Sequence, residues 1–138
     1  MKATSPILLL FAIGSFTALP ARAQDSATDE ALDKELLERQ IAHNAAPIKS
    51  EPELRQYIAS GKGNARPLSY LSESARKRFI KSLVFTERGL ASFDYWDLRA
   101  ELTAAQAYEV LSLFGAQRST GPIPNLRIVN ERDAAISE

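Results

Sequence analysis

The clearest pattern of apolar and polar positions lies between residues 103 and 115. Four apolar residues follow one another at i, i+3, i+4 and i+7, the spacing of one buried helix face: Ala107, Val110, Leu111 and Phe114. Thr103 and Gln106 stand ahead of them at the spacing of a capping box, in which each side chain accepts from the other residue's backbone N–H. Gly115 can end the helix because glycine enters the left-handed region freely. The sequence therefore predicts a capped, core-facing helix here.

Two shorter helices are predicted before it, over residues 51–60 and 73–82. Ser50 and Ser72 precede them and can act as N-caps, and Pro52 fits the first turn, where a missing N–H is tolerated. Gly61 can close the first of the two. The positions expected to face inward are Leu54, Tyr57, Ile58, Ala75, Phe79 and Ile80.

A further amphipathic helix is predicted in residues 24–45, capped by Thr28 or Asp29. Its apolar stripe is narrow: Leu32, Leu36, Leu37 and Ile41. Such a stripe permits two arrangements, since the helix can lie on the domain or project and bind a partner. Within and after this segment, His43 to Lys49 are expected to form a linker.

The spacing of apolar residues changes to two after Leu83, which indicates a β-hairpin over about residues 83–95. A three-residue loop, Glu87 to Gly89, keeps the large apolar groups on one face and places Gly89 at a left-handed position. This register pairs Phe85 with Ala91 and Leu83 with Phe93. Because a lone two-stranded ribbon is barely stable, its apolar face must pack on helices.

Together these elements predict a mainly α (α+β) fold, a small bundle of about four helices packed on a two-stranded hairpin, with flexible termini. One globular domain is expected over residues 46–129. Leu126, Ile128 and Val129 are expected to form a short strand or to pack over the core, and residues 130–138 to form a disordered tail.

The first 23 residues have the features of a secretory signal peptide. Lys2 precedes an apolar run from Ile7 to Leu19, and Ala21-Arg22-Ala23 fits the small-x-small cleavage pattern. An uncleaved anchor is the alternative, but a run of roughly 13 residues is shorter than the ~20 that span a bilayer. We therefore expect cleavage before Gln24 and no membrane insertion afterwards.

Composition narrows the classes of function. Without residues 1–23, which carry Lys2 and Arg22 and no acid, 15 basic side chains face 17 acidic ones. A dedicated nucleic-acid binder would show a basic excess. The chain has no Cys, which removes disulfides, thiol catalysis and Cys-based metal sites. An exported chain without disulfides favours a bacterial periplasmic location, with secretion as the alternative.

No catalytic, metal or cofactor site is predicted, and we expect a protein that is not an enzyme. His43 is the single histidine, and its position at the end of the first helix favours an interaction with the helix dipole. Four carboxylates near the hairpin are the alternative, because two convergent acids can hydrolyse glycosides: Glu87, Asp94, Asp97 and Glu101. Surface acids that cap turns or pair with Arg88 and Arg99 are the more ordinary interpretation.

The candidate partner-binding residues are two aromatic and three basic side chains: Trp96, Tyr95, Arg76, Lys77 and Lys81. By strand alternation Trp96 lies opposite Phe93, so it is exposed if helices cover only one face of the hairpin. Exposed aromatic residues are typical interface anchors. The basic run on the helix at 73–82 is either a solvated face or a docking surface for an acidic partner.

The sequence therefore favours a non-enzymatic exported interaction protein, such as an inhibitor, immunity-type or chaperone-like binder, whose partner is another protein. Two alternatives stay open. One is a small cell-wall hydrolase that uses the carboxylates near the hairpin. The other is a self-assembling structural protein that associates through its N-terminal helix.

Overall fold

Six helices and one two-stranded antiparallel hairpin form the fold of residues 18–138, the part of the chain that the computed structural model describes. The helices are α1 (Ala18–Ala45), α2 (Glu51–Ala59), α3 (Glu73–Ser82), α4 (Trp96–Glu101), α5 (Ala104–Ser112) and α6 (Glu131–Ser137). The strands β1 (Val84–Thr86) and β2 (Gly89–Ser92) stand between α3 and α4. The mainly helical class with one hairpin is confirmed, with six helices where about four were expected.

The chain divides into two units, residues 1–37 and residues 38–138. In the first unit the structure describes the part of α1 that ends at Leu37, and this helix begins ahead of the expected caps Thr28 and Asp29. The apolar run of the predicted signal peptide falls mostly in residues 1–17, which lie outside the described residues. Among the helices described, none combines the length and the apolar character needed to cross a membrane.

The second unit begins earlier than the domain start expected at residue 46. Ala42 and His43 lie directly against Gly115, at the end of α5: a Cβ built on that glycine would stand 2.8 Å from the His43 Cα and 2.9 Å from the Ala42 carbonyl oxygen. The last two turns of α1 therefore belong with the elements that follow them.

Local capping explains where α2, α3 and α5 begin. The hydroxyl of Ser50 accepts from the Glu53 N–H at 3.3 Å, and that of Ser72 accepts from the Ala75 N–H at 3.3 Å. Thr103 and Gln106 form the full reciprocal box, at 3.2 and 3.0 Å. The predicted starts of all three helices are confirmed.

The core is centred on aromatic rings from α3 and from the end of α5. Phe79 and Phe114 are buried, with ring centroids 6.1 Å apart, and Phe93 after β2 meets Phe79 at 6.3 Å. All four core positions predicted for this segment are buried, three of them in α5 and Phe114 just after it. Ile58 is the exception among the predicted inward positions, because its side chain is 40% exposed at the end of α2.

The hairpin register differs from the predicted one near the turn. Phe85 pairs with Leu90 rather than with Ala91, and Thr86 pairs with Gly89. A register shift between Val84 and Phe85 restores the pairing of Val84 with Ser92. A bulge of this kind turns one residue of the longer strand out of the ladder, and simple alternation does not predict it.

The tail expected to be disordered is helical instead. Asn130 caps α6 by accepting from the Asp133 N–H at 2.9 Å. The Asp133 carboxylate is buried, and it accepts from the Ala105 N–H of α5 at 2.7 Å and from the Val129 N–H at 2.9 Å. These bonds hold residues 130–138 against α5, so the expectation of a loose C-terminus is corrected.

Candidate functional site

Trp96 is the first residue of α4 and lies outside the hairpin strands, which end at Ser92. Its backbone N–H donates to the Asp94 carboxylate at 2.9 Å, a short side-chain turn that brings the chain from β2 into the helix. The assignment of Trp96 to a strand face opposite Phe93 is therefore wrong, although both residues belong to the same connection.

The indole of Trp96 is 56% exposed and is held between two neighbours. The Tyr95 ring stacks on it with centroids 5.5 Å apart and an angle of 25° between the planes. The Arg99 guanidinium carbon lies 4.4 Å from the indole centroid, within the range of a cation–π contact. We call Tyr95, Trp96 and Arg99 the Trp96 platform. Two flanking contacts limit the rotamers of an aromatic ring that still faces solvent.

The helix that carries the platform is fixed to α3. Asp97 accepts from Arg78 through both carboxylate oxygens, with the shortest contact at 2.7 Å. This hydrogen bond, together with the charge of Asp97, raises the pKa of the Arg78 guanidinium. The next residue, Leu98, is fully buried. The Trp96 platform thus stands on a helix whose other side is anchored by an ion pair and by the core.

The three basic candidates line a groove between the end of α2 and α3. Its volume is about 370 Å³, and we call it the α2–α3 groove; its lining residues are Ile58, Gly63, Asn64, Glu73, Arg76, Lys77, Ile80 and Lys81. Lys77 is bonded to Glu73 at 2.9 Å, and this hydrogen bond and the charge of Lys77 lower the pKa of Glu73.

The structure does not bring the five predicted partner-binding residues into one site. Successive residues of an α-helix are about 100° apart around its axis. Arg78, which contacts α4 beside Trp96, therefore projects from a different side of α3 than Arg76 and Ile80 of the groove. Trp96 and Tyr95 form one surface, and Arg76, Lys77 and Lys81 form another.

Arg99 is the residue of the Trp96 platform that sequence reasoning did not place there. We expected it to pair with Asp94 or Asp97. Its spacing of three residues from Trp96 on a helix was the available indication, since i and i+3 side chains are neighbours. Strand alternation places Trp96 in the hairpin instead, where residues three apart point to opposite faces.

Three of the four hairpin carboxylates make contacts within the fold. Asp94 accepts from the Trp96 N–H and Asp97 pairs with Arg78. Glu101 accepts from the N–H of Ser72 at 2.8 Å and from its hydroxyl at 2.9 Å, which joins the end of α4 to the start of α3. Glu87 is exposed in the hairpin turn. These contacts favour the ordinary interpretation of the carboxylates as groups that cap turns and join helices.

His43 occupies the last turn of α1, as the sequence predicted, and it is half-buried. Its imidazole lies over the hairpin turn, where a Cβ on Gly89 would stand 2.6 Å from the His43 Cε1. Within residues 18–138 no group of three or more His, Asp or Glu side chains is placed to hold a metal ion.

No family model matches this chain, and neither a curated protein nor a solved structure matches it.

Proposed function

We propose that this chain is a non-enzymatic protein-interaction protein, such as an inhibitor, immunity-type or chaperone-like binder, that acts after export. The observation that carries the proposal is the exposed Trp96 ring, held between Tyr95 and Arg99 on an anchored helix.

The residue types of the Trp96 platform are those that dominate binding energy at protein interfaces. Trp, Tyr and Arg are enriched among the few interface residues whose truncation costs more than about 2 kcal/mol. A free surface residue loses side-chain freedom when a partner immobilises it, at roughly 0.5–1.5 kcal/mol for each such side chain. Contacts with Tyr95 and Arg99 already restrict the Trp96 side chain, so binding costs it less side-chain entropy.

Two features of the sequence support export: residues 1–23 and the absence of Cys from the chain. A positive residue, a short apolar run and a small-x-small sequence are the features that a signal peptidase recognises. We place the protein in the periplasm, with secretion beyond it as the alternative, and its partner is a protein of the same compartment.

Truncation of Trp96 tests the proposal directly. Immobilised wild-type protein is expected to retain one periplasmic protein from an extract of the source cells. The Trp96→Ala variant should retain at least about tenfold less of it, because loss of a central anchor typically costs 2 kcal/mol or more. Quantitative mass spectrometry of the eluates provides the measurement.

Val129→Ala is the matched control, since Val129 is an exposed apolar side chain that is not part of the Trp96 platform. This control should retain the partner as the wild type does. Thermal unfolding of Trp96→Ala should stay close to that of the wild type, within about 0.5 kcal/mol, as expected of a surface substitution. Equal retention by wild type and Trp96→Ala would contradict the proposal.

A further inference from the structure

One face of α1 combines leucines with unpaired acids. Asp29, Leu32, Asp33, Leu36 and Leu37 recur at spacings of three and four, so they are neighbours on the helix surface. We call these five residues the acidic leucine face. The three leucines are 56%, 65% and 60% exposed, and the two aspartates make no ion pair with any residue that the structure describes.

The α2–α3 groove is also partly apolar, but its unpaired charges are positive. Ile58 and Ile80 supply its aliphatic surface, and Ile58 is one of the exposed large apolar side chains. Arg76 and Lys81 lie beside them, and neither forms an ion pair within the described part of the chain. Lys77 and Glu73 neutralise one another. The groove therefore carries two uncompensated positive charges next to apolar surface.

The two surfaces are complementary in apolar character and in charge. Each presents large aliphatic side chains beside two charges, and the charges have opposite sign. An amphipathic helix laid in an apolar groove is a recurrent mode of recognition. Burial of the aliphatic groups would supply most of the affinity, at roughly 25 cal/mol per Å², while the charges would set the register and exclude other partners.

We propose that the α2–α3 groove of one copy of this chain binds the acidic leucine face of α1 of a second copy. Every copy carries both surfaces, so a two-fold arrangement of two copies would make the same contact twice and would close the assembly at a dimer. This contact uses neither Trp96 nor Arg99. The Trp96 platform is not part of this dimer contact. Self-association therefore goes beyond the function stated above.

A charge exchange between two variants tests the pairing. The groove variant is Arg76→Glu with Lys81→Glu, and the face variant is Asp29→Lys with Asp33→Lys. In each variant alone, both surfaces carry the same sign, and juxtaposed like charges cost several kcal/mol. Analytical ultracentrifugation should show a wild-type dimer, and each variant alone should associate more than about tenfold more weakly.

Mixing the two variants should restore a dimer that contains one copy of each. The acidic face of the groove variant then meets the basic groove of the face variant, and the basic face of the latter meets the acidic groove of the former. Native mass spectrometry identifies this mixed species, because the substitutions change the masses of the two chains by different amounts. Circular dichroism shows whether each variant keeps its helices.

Arg88→Glu with Arg127→Glu is the matched control, because it makes the same charge change at two exposed arginines outside the groove. That variant should dimerise as the wild type does. Three results would each overturn the proposal: a monomeric wild type at every concentration, a wild-type dimer that the groove and face variants leave intact, or a folded pair of variants that does not form the mixed dimer. An external acidic segment as the occupant would appear as the first of these.

Discussion

Two glycines with positive φ, Gly89 and Gly115, lie against His43. Gly89, the first residue of β2, has φ 107° and Gly115, after α5, has φ 71°. A Cβ on Gly89 would stand 2.6 Å from the His43 Cε1 and 2.8 Å from its Nδ1. Turn chemistry predicted the left-handed conformation of Gly89. The contact with His43 was not predictable from the sequence, because it joins residues 46 positions apart.

Gly89→Ala should destabilise the fold for two reasons. A residue with a Cβ in this backbone region costs about 1–3 kcal/mol, and the new methyl group must displace the imidazole. We expect the free energy of unfolding in urea to fall by at least that amount.

Gly63→Ala is the matched control, since a Cβ there would meet Ile58 at an ordinary 3.5 Å and the backbone φ of Gly63 lies outside the positive region. It should change stability by well under 1 kcal/mol. Adding His43→Ala to Gly89→Ala should recover part of the loss, because it removes the clash and leaves the backbone strain. If Gly89→Ala lowered the free energy of unfolding equally with and without the His43 side chain, the contact would contribute nothing to stability.

Helices that begin at a local cap were predictable, and elements fixed by distant contacts were not. Ser50, Ser72 and Thr103 each lie within three residues of the N–H that they bind, so the sequence contains the whole interaction. Asn130 makes the same kind of bond with Asp133. No apolar periodicity follows this last cap, so the sequence does not predict a helix there, and the bulge in the hairpin has no local indication of this kind.

The anchoring of α6 depends on one buried carboxylate. Burial raises the pKa of Asp133, but hydrogen bonds from Val129, Ala105, Thr103 and Asn130 outweigh it, so the pKa lies below its ordinary value of 3.8. The carboxylate therefore binds its proton less readily in the folded chain than in the unfolded one. Its contribution to stability is complete above the ordinary pKa of an aspartate and is lost as the pH falls through the lowered pKa.

Asp133→Asn should cost about 1–3 kcal/mol at neutral pH, because the amide offers one acceptor oxygen where Ala105 and Val129 need two. The difference in unfolding free energy between wild type and variant should stay constant down to about pH 5 and then shrink on further acidification. Urea titrations across this range provide the measurement.

Glu131→Gln serves as the control on the same helix, since Glu131 is exposed in the first turn of α6. It should change stability by about 0.5 kcal/mol or less. If deletion of residues 130–138 left stability unchanged, the tail would behave as the disordered segment that the sequence suggested, and the role given to Asp133 would be wrong.

At the scale of the whole molecule, composition and spacing nominated candidate residues but did not predict their arrangement. Trp96 and Tyr95 were singled out, and they stack on an exposed surface. Arg76, Lys77 and Lys81 were placed with them, yet they line a separate groove. Which side of a helix faces a neighbour is decided by packing of the core, so the separation of these surfaces could not be read from their spacing alone.

The proposed function requires that a partner covers the indole of Trp96. Since the protein contains a single Trp, its intrinsic fluorescence reports on this residue without any substitution. The free protein should be readily quenched by acrylamide, because the ring is exposed. Saturation with the protein recovered by pull-down should shift the emission to shorter wavelength and reduce the quenching severalfold. An emission maximum and a quenching constant that stay unchanged in the saturated complex would contradict the central claim that Trp96 is the binding anchor.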